Sequence, residues 1–310
     1  MLRRVSTVLR LGITLLALAV LFTQASPALG ASDSGKKTIV VTYSILGAIV
    51  RDLVGDSAVV IVPMPNGQDP HEWEPSAKDI EIINKASLVV RNGLNLEEGM
   101  EKTLQQAEKS GVKFFTASDH IKVHRVGPGE GIPTGDPDQA VGAKDPHLWM
   151  DPTVMKMIEQ ALAARLKADL RIDVSDRARD LATRLDGLDQ EIARAVAQVP
   201  QANRRLVTGH ESMGYFAQRY GFRLVGAIIP SLTSQAQVSA AKLASLKKVI
   251  RENQVKAIFT ELGTAPAVAQ AIGKETGVRV IELATHTLSA DGSYFTFMRN
   301  LTKAITEALK

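Results

Sequence analysis

Short apolar runs separated by turns and by amphipathic stretches fill most of this chain. Residues 38–42, 59–63, 88–91 and 113–116 are rich in β-branched or aromatic side chains and are bounded by turn residues, which predicts strands. Helical periodicity fills the gaps between them, at 46–54, 77–85 and 96–109. Strands that alternate with helices imply parallel βαβ units in an α/β layer fold. Residues 119–146 interrupt this rhythm. They are rich in Gly, Pro and Asp, include His120 and His124, and read as a long mobile surface loop.

From 152 to 198 the pattern is almost continuously helical, with a break expected near Asp173-Val174-Ser175. Asp173 or Ser175 can cap the second helix, whose Leu181, Leu185, Leu188, Ile192 and Val196 recur at three- and four-residue spacing. The βα rhythm then resumes, with strands at 205–208, 223–227, 256–260 and 278–282 and helices at 213–220, 240–253, 265–276 and 294–309. The expected organisation is two α/β lobes with parallel sheets, at 31–172 (including the loop at 119–146) and 200–310. A long linker helix at 173–199 joins them.

The first thirty residues differ from the rest. Arg3, Arg4 and Arg10 precede an apolar run from Leu11 to Phe22, and Ala28-Leu29-Gly30 supplies small residues at a cleavage position. This reads as a signal peptide over 1–30, the run being short for a membrane span. A formal charge of +4 less those three arginines leaves +1 for the mature chain, so its basic balance gives no reason to expect nucleic acid as a partner. Beyond the leader no stretch has the length and purity of a transmembrane helix. The chain has no cysteine, which excludes disulfides, thiolate metal sites and cysteine nucleophiles. It also removes the residue used for lipoprotein anchoring. The expectation is a secreted protein, soluble in the periplasm or another extracytoplasmic space, monomeric and not a lipoprotein.

Four of the six histidines share a context. His71 lies in Asp69-Pro70-His71-Glu72-Trp73 and His147 in Asp145-Pro146-His147-Leu148-Trp149. His210 ends a predicted strand, and His286 follows another. Three of the four stand just past the carboxyl end of a parallel strand, the edge at which open α/β sheets bind ligands. Two belong to each lobe, so they can converge only in the cleft between lobes. Imidazole is a common metal ligand, and four protein ligands make a closed tetrahedral zinc site with no position for reacting water.

These segments carry a resemblance. The chain resembles the zinc and manganese solute-binding proteins of ABC-type importers, the TroA-like or ZnuA-like family, over nearly all of its mature length. The resemblance rests on the loop from Gly67 to Pro75, on Asp145-Pro146-His147-Leu148-Trp149-Met150-Asp151-Pro152, and on Thr208-Gly209-His210-Glu211-Ser212-Met213-Gly214-Tyr215-Phe216. The tail from Asp291 to Met298 also fits. It implies that His71, His147 and His210 are metal ligands, and that His286 stands where many members have an aspartate. It also implies two lobes joined by one rigid helix, and a partner in the membrane permease of an importer.

Glu211 is the alternative fourth ligand, or a group that bonds a ligand imidazole from outside. Trp73 and Trp149 are expected to pack the cleft walls, and Asp151 to cap the following helix. Enzyme motifs do not complete. His210-Glu211-Ser212-Met213-Gly214 puts His where a nucleophile elbow needs a small residue, and Gly214 where His-Glu-x-x-His needs its second His. The expectation is therefore a binding protein, not an enzyme, that carries Zn2+ as its transported ligand. Mn2+ or another divalent transition metal is the alternative cargo. Storage or adhesion with the same site, and a zinc-dependent hydrolase, are the alternative functions.

Overall fold

The computed structural model describes residues 35–130 and 141–310. The signal peptide expected over 1–30 lies outside the described residues, as does the middle of the loop expected at 119–146.

Strands β1 (Thr38–Val41), β2 (Val59–Ile61), β3 (Leu88–Arg91) and β4 (Phe114–Thr116) form a parallel sheet in the order β2-β1-β3-β4. Strands β5 (Arg205–Thr208), β6 (Arg223–Ala227), β7 (Ala257–Thr260) and β8 (Arg279–Glu282) form a second in the order β6-β5-β7-β8. Every pairing within both sheets is parallel. Crossovers are made by α1 (Ser44–Val54), α2 (Ala77–Asn84) and α3 (Glu101–Lys109) in the first half. In the second they are made by α6 (Gly214–Tyr220), α7 (Ala240–Glu252) and α8 (Pro266–Thr276). The order is that of two α/β layers, as the alternating pattern predicts.

Between the sheets run α4 (Pro152–Leu170) and α5 (Ser175–Ala197), and the chain closes with α9 (Tyr294–Leu309). Arg171 takes a left-handed backbone conformation and its N–H bonds the Leu166 carbonyl, which ends α4. The Asp173 carboxylate then accepts both the N–H and the hydroxyl of Ser175 at the start of α5. Asp151 caps α4 by accepting the Thr153 N–H. Leu94 and Asn95 adopt positive φ, so the helix expected from 96 begins only at Glu101, after a 3-10 turn at Glu98–Met100.

Side-chain alternation divides the interior. Ile39 and Val41 of β1, Leu88 and Val90 of β3, Leu206 of β5 and Phe259 of β7 all join one apolar core with residues of α1, α4, α5 and α9. Val40 and Val89 face a separate cluster on the far side of the first sheet, and Val207 and Ile258 one on the far side of the second. Both faces of each sheet are thus covered, as parallel strands with unbroken apolar runs require. Residues 36–310 pack as one compact unit. The arms of the 119–146 loop are themselves ordered: Arg125 pairs with Lys144 in an antiparallel bridge, and His124 and Val126 are buried. Among the described residues no helix is long and apolar enough to cross a membrane.

One buried group works against this packing. Glu159 on α4 is fully buried, and among the described residues neither carboxylate oxygen has a hydrogen-bond partner. Burial raises its carboxyl to about 7, with Lys156 opposing. A folded pKa above the unfolded one means that the native state holds the proton more tightly. Stability from this residue is present below the unfolded value and is lost as pH rises toward 7. Glu159→Met should therefore raise stability at pH 8 by on the order of 1–3 kcal/mol, with the gain vanishing near the unfolded carboxyl value of about 4.3. Urea unfolding at both pH values checks it, and an equal effect at the two contradicts it.

Candidate metal centre

Each of the two Asp-Pro-His segments folds in the same way. The Asp69 carboxylate accepts the backbone N–H of His71, and Asp145 accepts that of His147, each at 2.9 Å. An acceptor two residues upstream, stiffened by the intervening proline, fixes the histidine backbone without needing a strand or helix. Asp145 does more: its Oδ1 also lies 2.7 Å from His147 Nδ1. His71 Nδ1 faces Glu98 at 3.5 Å.

The second pair comes from the carboxyl edge of the second sheet. His210 follows β5 and its backbone N–H donates to Glu261 Oε1 at 2.9 Å. His286 lies in the loop between β8 and α9, with its Nδ1 2.9 Å from Thr285 Oγ1. That hydroxyl donates to Glu261 Oε2 at 2.6 Å, so it can accept only if His286 Nδ1 carries the proton. The network assigns the tautomer in the same way at His147, where the partner is a carboxylate. In both rings the proton sits on the outward nitrogen and the Nε2 lone pair points in.

The inward nitrogens converge. His71 Nε2 lies 3.4 Å from His147 Nε2, which lies 3.0 Å from His210 Nε2. The four histidines each offer a ligand atom within 4.8 Å of the others, and among the described residues they are the one group of this kind. A tetrahedron with metal–nitrogen bonds of 2.0–2.1 Å has edges of about 3.3 Å, which these spacings approach. His286 Nε2 has no hydrogen-bond partner. All four side chains are buried, none more than 3% exposed.

Electrostatics follow from this burial. Burial pushes His147 below the usual histidine range, with Asp145 opposing, and takes His286 down to about 3, helped by the charge of His210. Burial is the largest effect on His210 and lowers it, but the Glu261 carboxylate, Asp69 and Glu211 together outweigh it and the ring is raised. Glu261 is the reciprocal case: burial alone would raise it, yet His210, His286 and the Thr285 hydroxyl hold it well below the usual carboxylate range.

Glu211 faces elsewhere. It lines a small separate cavity with His124, Glu130, Asp145 and Gly214, and burial raises its carboxyl to about 8. Trp149 is fully buried, its ring 5.3 Å from His147 and 5.5 Å from His286, and its indole N–H bonds the Thr285 carbonyl. Trp73 is half-buried against the first-sheet core. His120 is exposed and stacks on Phe115, whereas His124 is buried with Nδ1 3.0 Å from Gln218 Oε1. Sequence reasoning did not single out Glu261, Thr285 or Glu98. For Glu261 a signal existed, an acidic residue placed immediately after an apolar strand at the ligand-binding edge.

Comparison with known proteins supplies the context for this cluster. Residues 39–308 match the family model for ZnuA, zinc-uptake complex component A, periplasmic. The chain belongs to the ZnuA family. It is 27% identical to the manganese ABC transporter substrate-binding lipoprotein PsaA of Streptococcus pneumoniae, over 90% of each chain. The zinc-binding lipoprotein AdcA of the same species is 30% identical over 79% of this chain and 49% of its own length. Among solved structures, the periplasmic zinc-binding protein TroA of Treponema pallidum superposes with a TM-score of 0.76 at 25% identity, covering 89% of this chain and 99% of that one.

ZnuA-family membership makes this a metal-binding, extracytoplasmic substrate-binding component of an ABC-type metal importer, and not an enzyme. Such components work with membrane permease and ATPase subunits. The expected location is corrected by the same comparison. The sequence reading made the protein free in solution and not a lipoprotein, but the streptococcal relatives are named lipoproteins. A missing residue type was asked to carry a statement about location, which a residue count does not measure.

Proposed function

We propose that the protein captures one zinc ion with His71, His147, His210 and His286 and hands it to the permease of its importer. The observation that carries the reading is the convergence of inward Nε2 atoms whose outward nitrogens are engaged by hydrogen-bond acceptors or face carboxylates. Lone pairs 3.0–3.4 Å apart repel unless a cation lies between them. All-nitrogen ligation favours zinc over manganese, which prefers oxygen. PsaA is named for manganese and AdcA for zinc, so the donor set is what speaks for zinc here. On this reading residues 31–172 and 200–310 act as the two lobes and 173–199 as their connecting helix.

Elemental analysis and calorimetric titration should find one tight zinc site per chain, with zinc displacing manganese. His286→Ala should weaken zinc by more than the roughly 10- to 100-fold expected from losing a partner outside the ligand set. Glu211→Gln should leave affinity within about threefold, since that side chain faces a different cavity. A larger loss in Glu211→Gln than in His286→Ala would replace this ligand set with three histidines and a glutamate.

Proton competition gives a second test. The ligands must be neutral to bind a metal. Burial depresses His147 and His286, whereas His210 is raised, so a proton on His210 is one that metal must displace. Like-charge repulsion disfavours a second proton in the same buried cage. Zinc affinity should therefore fall as pH drops from about 7 to about 5, by about tenfold per unit or more. Titrations at pH 5, 6 and 7 check it, and a flat profile contradicts it.

A further inference from the structure

We propose that Glu261 is a positioning residue for metal capture, coupling His210 and His286 into one rigid pair; the inference rests on the four-histidine reading above. Sheet order explains how one residue reaches both ligands. β7 lies between β5 and β8, so its carboxyl end sits between the loop that carries His210 and the loop that carries His286. Glu261 is the first residue beyond that strand and is buried.

Its carboxylate is fully engaged with those two loops. Oε1 accepts the His210 backbone N–H at 2.9 Å and lies 3.1 Å from His210 Nδ1. Ser212 Oγ is within 3.0 Å of both oxygens. Oε2 accepts the Thr285 hydroxyl at 2.6 Å, and that oxygen is 2.9 Å from His286 Nδ1. The approach needs Gly209, because a Cβ there would collide with the Glu261 side chain and with Thr264. His147 is anchored by Asp145 and the His71 backbone by Asp69, with Glu98 3.5 Å from His71 Nδ1. The first sheet thus contributes two independently held ligands, and the second contributes a coupled pair.

The coupling has two chemical effects. A carboxylate beside Nδ1 fixes the tautomer and strengthens the opposite nitrogen as a donor. It reaches His210 directly and His286 through the threonine hydroxyl. It also places a fixed negative charge beside the cage, which offsets the charge of a divalent ion where water is excluded.

The test compares the full chain with Glu261→Gln, Thr285→Val and the double variant. Zinc affinity is measured by chelator competition at pH 7.5, alongside the visible absorption of the Co2+-loaded proteins and their metal-free melting temperatures. Glu261→Gln should bind zinc about 10- to 100-fold more weakly, and Thr285→Val should lose a smaller factor. Because Glu261 reaches His286 only through Thr285, the two losses overlap, and the double variant should lose clearly less than the product of the two single losses. The Co2+ band should shift in both single variants, which a purely structural role at the metal-free loops would not produce.

Affinity within about threefold of wild type with an unchanged Co2+ band in Glu261→Gln overturns the proposal, as do fully multiplying losses in the double variant. Should Glu261→Gln fail to fold, Thr285→Val decides, and an unchanged band and affinity there overturn it. Failure of the four-histidine reading shows elsewhere, as zinc binding that is absent in wild type or survives unchanged in His210→Ala.

Discussion

Repulsion among four ring nitrogens is the constraint around which this protein is arranged. Left to themselves, neutral imidazoles would rotate to pair a lone pair with an N–H. Here acceptors on the outside engage or face Nδ1: Asp145 for His147, Thr285 for His286, Glu261 for His210 and Glu98 for His71. Only a proton on one ring can bridge the inward nitrogens, as between His210 and His147 at 3.0 Å, and burial keeps them from bulk water. On the proposed reading a metal ion takes the place of that proton, and the sheets, the proline-stiffened loops and the buried carboxylates hold the rings ready for it.

Much of this was legible in the sequence. The alternation of apolar runs with helical stretches found both parallel sheets, because strands covered on both faces must be apolar throughout. The break between α4 and α5 followed from Asp173 and Ser175. The histidines stood out because Asp-Pro-His-x-Trp occurs twice, and local motifs of that kind are visible one segment at a time. What the sequence hid was long-range or conformational. No residue spacing announces that Leu94 and Asn95 take positive φ and delay α3. Glu261 reaches His210 and His286 only because β7 is placed between β5 and β8, and strand order is a property of the folded sheet. Glu211 was the opposite case: it neighbours His210 in sequence, yet its side chain faces another cavity.

Family membership and site chemistry answer different questions here. Relatives named for zinc and for manganese share this family, so descent sets the class of cargo, a divalent metal, without choosing among its members. The donor atoms are where the choice is made. A carboxylate or two in the cage would suit a hard ion, and four imidazoles suit a borderline one. Thus the substitution of one ligand loop can change the preference while every strand and helix stays as it is.

The apolar core shared by the two sheets limits how far they can part. Ile39, Leu206 and Phe259 belong to the same packed interior, with α5 and α9 running through it. Swinging the sheets widely apart would expose that interior to water, so spontaneous opening on that scale is rare. Smaller movements, such as release of the His71 carbonyl by Gln235, leave that interior covered. On the four-histidine reading, an ion in this cage is expected to leave slowly on its own. On that reading, timely unloading falls to the receiving membrane component, which then sets when the cargo leaves.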